Sequence, residues 1–215
     1  MTITRILGWL AAIGLIAGLA AGFGYAPREA IQGNVQRIMY LHVPSVLTSY
    51  LAFGLVLIGS IAYLATRRAG WDRLAGAAGE LGVLFTGLTI VTGSIWGKPT
   101  WGTWWTWDAR LTSTAVLFCV YVGYLLLRSL IEDPDARGRY AAVVGVLGAV
   151  NIPIVHFSVK WWRALHQPST ILGPEPSPID PAIGLALFVN WIAFTLLFVY
   201  FLSRRMEIAR LEEQM

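Results

Sequence analysis

Six stretches of this chain are too apolar to be left in water: residues 6–25, 46–66, 74–95, 111–131, 140–157 and 182–202. A helix crossing the ~30 Å hydrocarbon layer needs about 20 apolar residues, and each stretch reaches or approaches that length. They take up most of the 215 residues and leave little chain for a soluble domain. The expected fold class is therefore an all-α membrane protein, one polytopic domain over residues 1–215 with six transmembrane helices. Composition settles the remaining classes. The chain is 56% hydrophobic and 13% charged, against roughly 25% charged residues in soluble domains, which excludes an ordinary soluble enzyme and a disordered chain alike. The joints carry breakers: Pro27, Pro44, Pro99, Pro134, and five prolines from Pro168 to Pro181. Gly24-Tyr25-Ala26 loosely resembles a leader cleavage site. The apolar run before it is longer than the 7–15 residues of a signal core, so it is expected to stay as the first span.

Short-loop basic residues set the orientation. Arg5, Arg67, Arg68, Arg73, Arg128, Arg137, Arg139, Arg204, Arg205 and Arg210 fall on one side; Arg28, Arg37, Lys98, Arg110, Lys160 and Arg163 fall on the other. Ten against six puts both termini in the cytoplasm and the three longer loops outside.

Seven of the ten tryptophans lie in two of those outer loops: Trp96, Trp101, Trp104, Trp105 and Trp107, then Trp161 and Trp162. An aromatic belt would occupy both interfaces, whereas the inner side has only Trp9 and Trp71. Wound as a short helix, Trp101, Trp104, Trp105 and Asp108 would share one face, an aromatic shelf ending in a carboxylate. The three histidines, His42, His156 and His166, all fall at or beyond outer helix ends. His42 and His166 come from loops on either side in sequence of the tryptophan loop, which suits a metal held from two directions. No cysteine or carboxylate joins them at zinc-ligand spacing. A planar aromatic ligand with a central metal and two axial positions fits better, and haem is such a ligand. With one cysteine, Cys119, there is no C-x-x-C-H attachment and no disulfide; mid-span, it is expected to be a small buried hydrophobe. His156, within the fifth span, is expected to make a buried polar contact.

The outer Arg and Lys residues offer partners to haem propionates, and arginine does so with two parallel bonds. Asp108 is expected to fix Arg110 or to cap the fourth span rather than to bind iron. In the third span, Thr86, Thr89 and Thr92 form a stripe suited to helix packing, and Glu80 is shallow enough to snorkel or to meet a partner.

The run Trp96-Gly97-Lys98-Pro99-Thr100-Trp101-Gly102-Thr103-Trp104-Trp105-Thr106-Trp107-Asp108-Ala109-Arg110-Leu111-Thr112-Ser113 resembles the tryptophan-rich WWD signature of haem-handling membrane proteins. His42-Val43-Pro44 ahead of the second span, and Trp161-Trp162 followed by His166-Gln167, narrow the resemblance to the CcmC family of cytochrome c maturation. The resemblance implies a b-type, non-covalently held haem with His42 and His166 as axial ligands to iron. It implies a ring held by the loop 96–110, through Trp96, Trp101, Trp104, Trp105, Trp107, Asp108 and Arg110, with Trp161 and Trp162 from the next outer loop. It also implies a bacterial inner-membrane protein that presents haem on the periplasmic side to the chaperone CcmE. The transporter subunits CcmA and CcmB and the small membrane protein CcmD would work beside it.

Two other readings compete. A b-type cytochrome subunit for electron transfer would place its histidines at membrane depth, inside a bundle. A generic permease subunit would leave the tryptophans unexplained. No enzyme is indicated: the chain lacks a phosphate-binding G-x-x-x-x-G-K-[ST] run, a nucleophile elbow and paired intramembrane acids. Nor does anything point to nucleic acid.

Overall fold

Residues 3–162, 164–166 and 179–214 are described by the computed structural model; Arg163 and residues 167–178, with most of the expected proline-rich joint, lie outside them. Within the described residues the chain is helical apart from short connections, and the single β-bridge joins Glu29 to Gly33. The helices are α1 (Ile3–Ala20), α2 (Met39–Thr66), α3 (Ala69–Trp101), α4 (Ala109–Leu130), α5 (Pro134–Ala149), α6 (Asn151–Trp161) and α7 (Pro181–Glu212). A π-turn over Ala21–Tyr25 extends α1, and a 3₁₀ turn over Val35–Ile38 leads into α2. Helices α5 and α6 follow one another across Val150 and make one span, so six spans are long and apolar enough to cross a membrane. Helices suit that solvent because each satisfies its own backbone polar groups.

The core sits where α2, α3, α4 and α5 meet. Phe53 of α2 stacks on Tyr121 of α4, ring centres 3.8 Å apart and planes 14° from parallel. The Tyr121 hydroxyl donates to the Gly145 carbonyl of α5 at 3.1 Å, so this buried aromatic is packed and satisfied at once. Helix α1 lies against α7, where the buried Asn190 donates to the carbonyls of Gly18 and Ala186, each at 2.8 Å. Outward-facing Leu84, Val116, Phe188 and Ile192 are exposed, which in a membrane protein means contact with lipid. At the end of the bundle away from the tryptophan loop, Arg128 makes two bonds to Asp72 (2.6 and 2.9 Å), and Arg205 makes two to Glu80 (2.6 and 2.9 Å). Glu80 thus snorkels to an arginine of α7.

Helices overrun the expected spans, and the overruns matter for the site. The second span starts at Met39 instead of 46, so Pro44 lies inside it and His42 is a helical residue, not a loop residue. Proline already has the φ of a helix and forfeits one hydrogen bond; near a helix start that loss is small, and Pro44 is fully buried against its neighbours. The third span likewise runs through Pro99 to Trp101. The Thr100 hydroxyl donates to the Trp96 carbonyl at 2.8 Å in the turn that carries the proline. Gly102 then ends α3 at φ 79°, a left-handed conformation that glycine adopts without steric cost. Cys119 also departs from expectation: it faces outward on α4 and is exposed.

Candidate functional site

The tryptophan loop is neither one helix nor one loop. Trp96 and Trp101 belong to the last turns of α3, Gly102 to Trp107 are non-helical, and Asp108 is the N-cap of α4. The single helical shelf of Trp101, Trp104, Trp105 and Asp108 is therefore not formed, because the chain reverses at Gly102 instead of winding on. What replaces it is a cavity of about 80 Å³ between α2, α3, α4 and the residues after α6. His42, His166, Trp101, Trp105 and Arg110 all line it, with Thr86 and Thr89 deeper in.

Two histidines 124 positions apart in sequence (166 − 42) thus face one space. His42 projects from the first turns of α2. Its Nδ1 lies 3.1 Å from Thr92 Oγ1 of α3, and its ring meets Trp96 edge-on at 5.7 Å. His166 lies against Trp101, ring centres 4.6 Å apart and planes 67° apart. Burial pushes its imidazole below the usual range, and the nearby Asp108 carboxylate pulls the other way. Burial prevails, so the ring is neutral at neutral pH, the form that can ligate a metal.

Asp108 acts from the edge of the cavity. One oxygen accepts from the Leu111 amide at 2.9 Å and caps α4; the other lies 3.3 Å from the Leu165 amide and 3.6 Å from His166 Nδ1. Of the two roles expected for it, capping is the one observed, worth about 1 kcal/mol. Arg110 donates to the His156 carbonyl at 2.8 Å, which ties α4 to α6.

Several buried polar atoms here have no hydrogen-bond partner among the described residues: Trp105 Nε1, Arg110 Nε, Thr106 Oγ1 and His166 Nδ1. Buried polar atoms without partners are costly, and three of these four lie on residues lining the cavity. An occupant carrying carboxylates would satisfy Trp105 and Arg110, and a metal would be met by imidazoles from two sides. The donor set fits haem, with indole rings for its faces.

The other expected residues stand around the cavity, not in it. Trp96 donates from Nε1 to Gln32 Oε1 at 2.7 Å and backs His42. Trp107 meets Trp105 edge-on at 5.5 Å and is 77% exposed; Trp104, Trp161 and Trp162 are each more than half exposed. Sequence reasoning missed Thr92 and Gly93. The threonine stripe was legible, but that its last member meets His42 depends on the register between α2 and α3.

Comparison with known proteins adds the family. The model of the CcmC family, described as heme exporter protein C, matches residues 1–215. The heme exporter protein C of Bradyrhizobium diazoefficiens is 43% identical over 211 residues, which cover 96% of this chain and 80% of that protein. The protein of that name from Escherichia coli K12 is 41% identical over 192 residues, 88% of this chain and 77% of its own. A ccmC-like mitochondrial protein of Marchantia polymorpha, named as a putative cytochrome c biosynthesis protein, is 43% identical over 146 residues, 68% of this chain and 61% of its own. The chain belongs to the CcmC, heme exporter protein C, family.

Proposed function

We propose that this member of the heme exporter protein C family binds haem non-covalently at the outer, periplasmic end of its bundle and presents it to a haem chaperone for cytochrome c maturation. The observation that carries the reading is the convergence of His42 and His166, from α2 and from the segment after α6, on one cavity lined by Trp101, Trp105 and Arg110. Bound haem would supply the iron that the imidazoles of His42 and His166 would hold. The chain's own part is to hold two neutral imidazoles toward it, cover the ring with indoles and meet a propionate with Arg110 and the Trp105 N–H. A cavity of about 80 Å³ is far below the size of drug-sized ligand pockets, ~300–1,000 Å³. The ring therefore sits in the open mouth, one edge outward, where Trp104, Trp107, Trp161 and Trp162 form an apolar rim. That exposure suits a hand-off.

In this reading the chain is a haem-handling component, not an enzyme. It is an inner-membrane protein with both termini cytoplasmic, working with CcmE, CcmA, CcmB and CcmD. His42 on a helix is the one feature shared with a b-type cytochrome. His166 follows α6 outside any span, so the pair does not have the membrane-depth geometry that reading needs. An absorption spectrum of the purified protein with added haem is the test. A Soret band with low-spin visible bands supports the proposal, and no protein-bound haem overturns it. A cysteine at Thr103 in a Cys119→Ser background should react with an impermeant thiol reagent only from outside; labelling only from the cytoplasm would overturn the assigned side.

A further inference from the structure

A hydroxyl carries one hydrogen, and where it goes at Thr92 decides the state of His42. Thr92 Oγ1 lies 2.7 Å from the Leu88 carbonyl and 3.1 Å from His42 Nδ1. The shorter distance is that of an O–H donor bond, and a carbonyl can only accept. The two threonines below it do the same: Thr86 donates to Gly82 at 2.7 Å and Thr89 to Phe85 at 2.8 Å. With its hydrogen committed down the helix, Thr92 can offer His42 only a lone pair. Nδ1 must then be the donor, and a neutral imidazole has one N–H. Nε2 is then the nitrogen without a hydrogen, free to accept or to ligate.

The same stretch of α3 also fixes the ring's position. A Cβ on Gly93 would stand 2.9 Å from His42 Cε1, so only a glycine lets the α3 backbone lie this close beside the imidazole. Trp96, one turn on, closes the next edge. Thr92, Gly93 and Trp96 bound the ring on its α3 side, where the Thr89 backbone also meets it.

We propose that Thr92 is a positioning residue that holds His42 as the Nδ1–H tautomer and so presents Nε2 as the ligand atom. The proposal rests on the haem-binding reading for its purpose, not for its geometry. A hydrogen bond on the far nitrogen orients a ligating imidazole and raises its basicity, and losing one commonly costs about 10–100-fold in metal affinity.

The test uses the full-length protein in lipid nanodiscs, with ¹⁵N-labelled histidine and no haem. The His42 signal, assigned by its loss in His42→Ala, should report the Nδ1–H tautomer in wild type and in Thr92→Ser. In Thr92→Val, which keeps the shape and removes the acceptor, it should shift toward a mixture. An Nε2–H tautomer in the wild type overturns the proposal even if Thr92→Val fails to fold. Haem titration is the second arm: Thr92→Val should bind about 10–100-fold more weakly and Thr92→Ser close to wild type. Equal affinity in wild type and Thr92→Val overturns the positioning role. If wild type binds no haem, the functional reading fails, while the tautomer measurement still decides the geometry.

Discussion

His42 and His166 face the same cavity from supports of opposite kinds. His42 grows from a helix whose next residues are core, and its Nδ1 is held by the hydroxyl of a neighbouring helix at 3.1 Å. His166 follows α6 and is non-helical. Its backbone neighbour Leu165 reaches Asp108 at 3.3 Å, and its own Nδ1 stands 3.6 Å from that carboxylate, outside hydrogen-bond length. Among the described residues, one imidazole is thus positioned by helix packing, the other by the Asp108 side chain and a ring contact with Trp101. The α2–α3 half of the site is built in by the fold. The other half depends on Asp108, which joins the start of α4 to the segment after α6. The proposed uptake and release of a large flat ligand would gain from one wall built on packed helices and one held by a side-chain tether.

The largest effect should come from removing either imidazole. His42→Gly and His166→Gly should each lose the six-coordinate low-spin spectrum of the haem-loaded protein. Free imidazole, a small soluble copy of the lost group, should restore it. His156→Ala should leave the bands unchanged. Low-spin spectra in both glycine variants without imidazole would refute ligation by this pair, and a change confined to His156 would move the site into the bundle. Next comes the aromatic wall shared by the two halves. Trp101→Ala with Trp105→Ala removes two rings, each worth about 0.5–1.5 kcal/mol beyond burial, and one unpartnered N–H worth about 1 kcal/mol once it meets a ligand. Haem titration of the double variant should show a loss of about 30–1,000-fold; wild-type affinity would remove the tryptophans from the site.

Asp108 separates cap from tether. Asparagine caps helices as well as aspartate does, whereas alanine costs about 1 kcal/mol. Asp108→Asn should therefore unfold like wild type, and Asp108→Ala should be less stable by about that amount. Both should weaken haem binding, by several-fold, since neither keeps a carboxylate beside His166. The corresponding change at the other wall, Thr92→Val, leaves the α4 cap intact. If Asp108→Asn binds haem as wild type does, the His166 side is held by something other than this charge, and the contrast between the walls fails.

The legible part of this fold was the part written in hydrophobicity. Six spans follow from apolar runs alone; the caps that Asp133 and Asp180 give α5 and α7 were not read from them. The ends of the spans were not legible. Pro44 and Pro99 read as breaks, yet tertiary packing lets α2 and α3 run through both, and this moves His42 and Trp96 onto helices. The pairing of His42 with His166 could be read because few other residues could serve. Its support could not: Thr92 and Gly93 are ordinary residues in an ordinary-looking stripe, and only the register of α2 on α3 makes them neighbours of the imidazole.

The smallest effect tests where the wall stops. A helical shelf would make Trp104 and Trp105 near equals, both on the ligand face. The chain from Gly102 to Trp107 is instead non-helical. Trp105 lines the cavity, and Trp104 is 57% exposed. Trp104→Ala should therefore change haem affinity by no more than about twofold, within the ±0.5 kcal/mol usual for surface substitutions, while Trp105→Ala gives a clearly larger loss in the same titration. If the two losses match, the loop folds over the bound ring and the rim is part of the wall. If Trp104→Ala spares affinity but slows transfer of haem to an acceptor protein, the rim belongs to the partner's side of the exchange, as its exposure suggests.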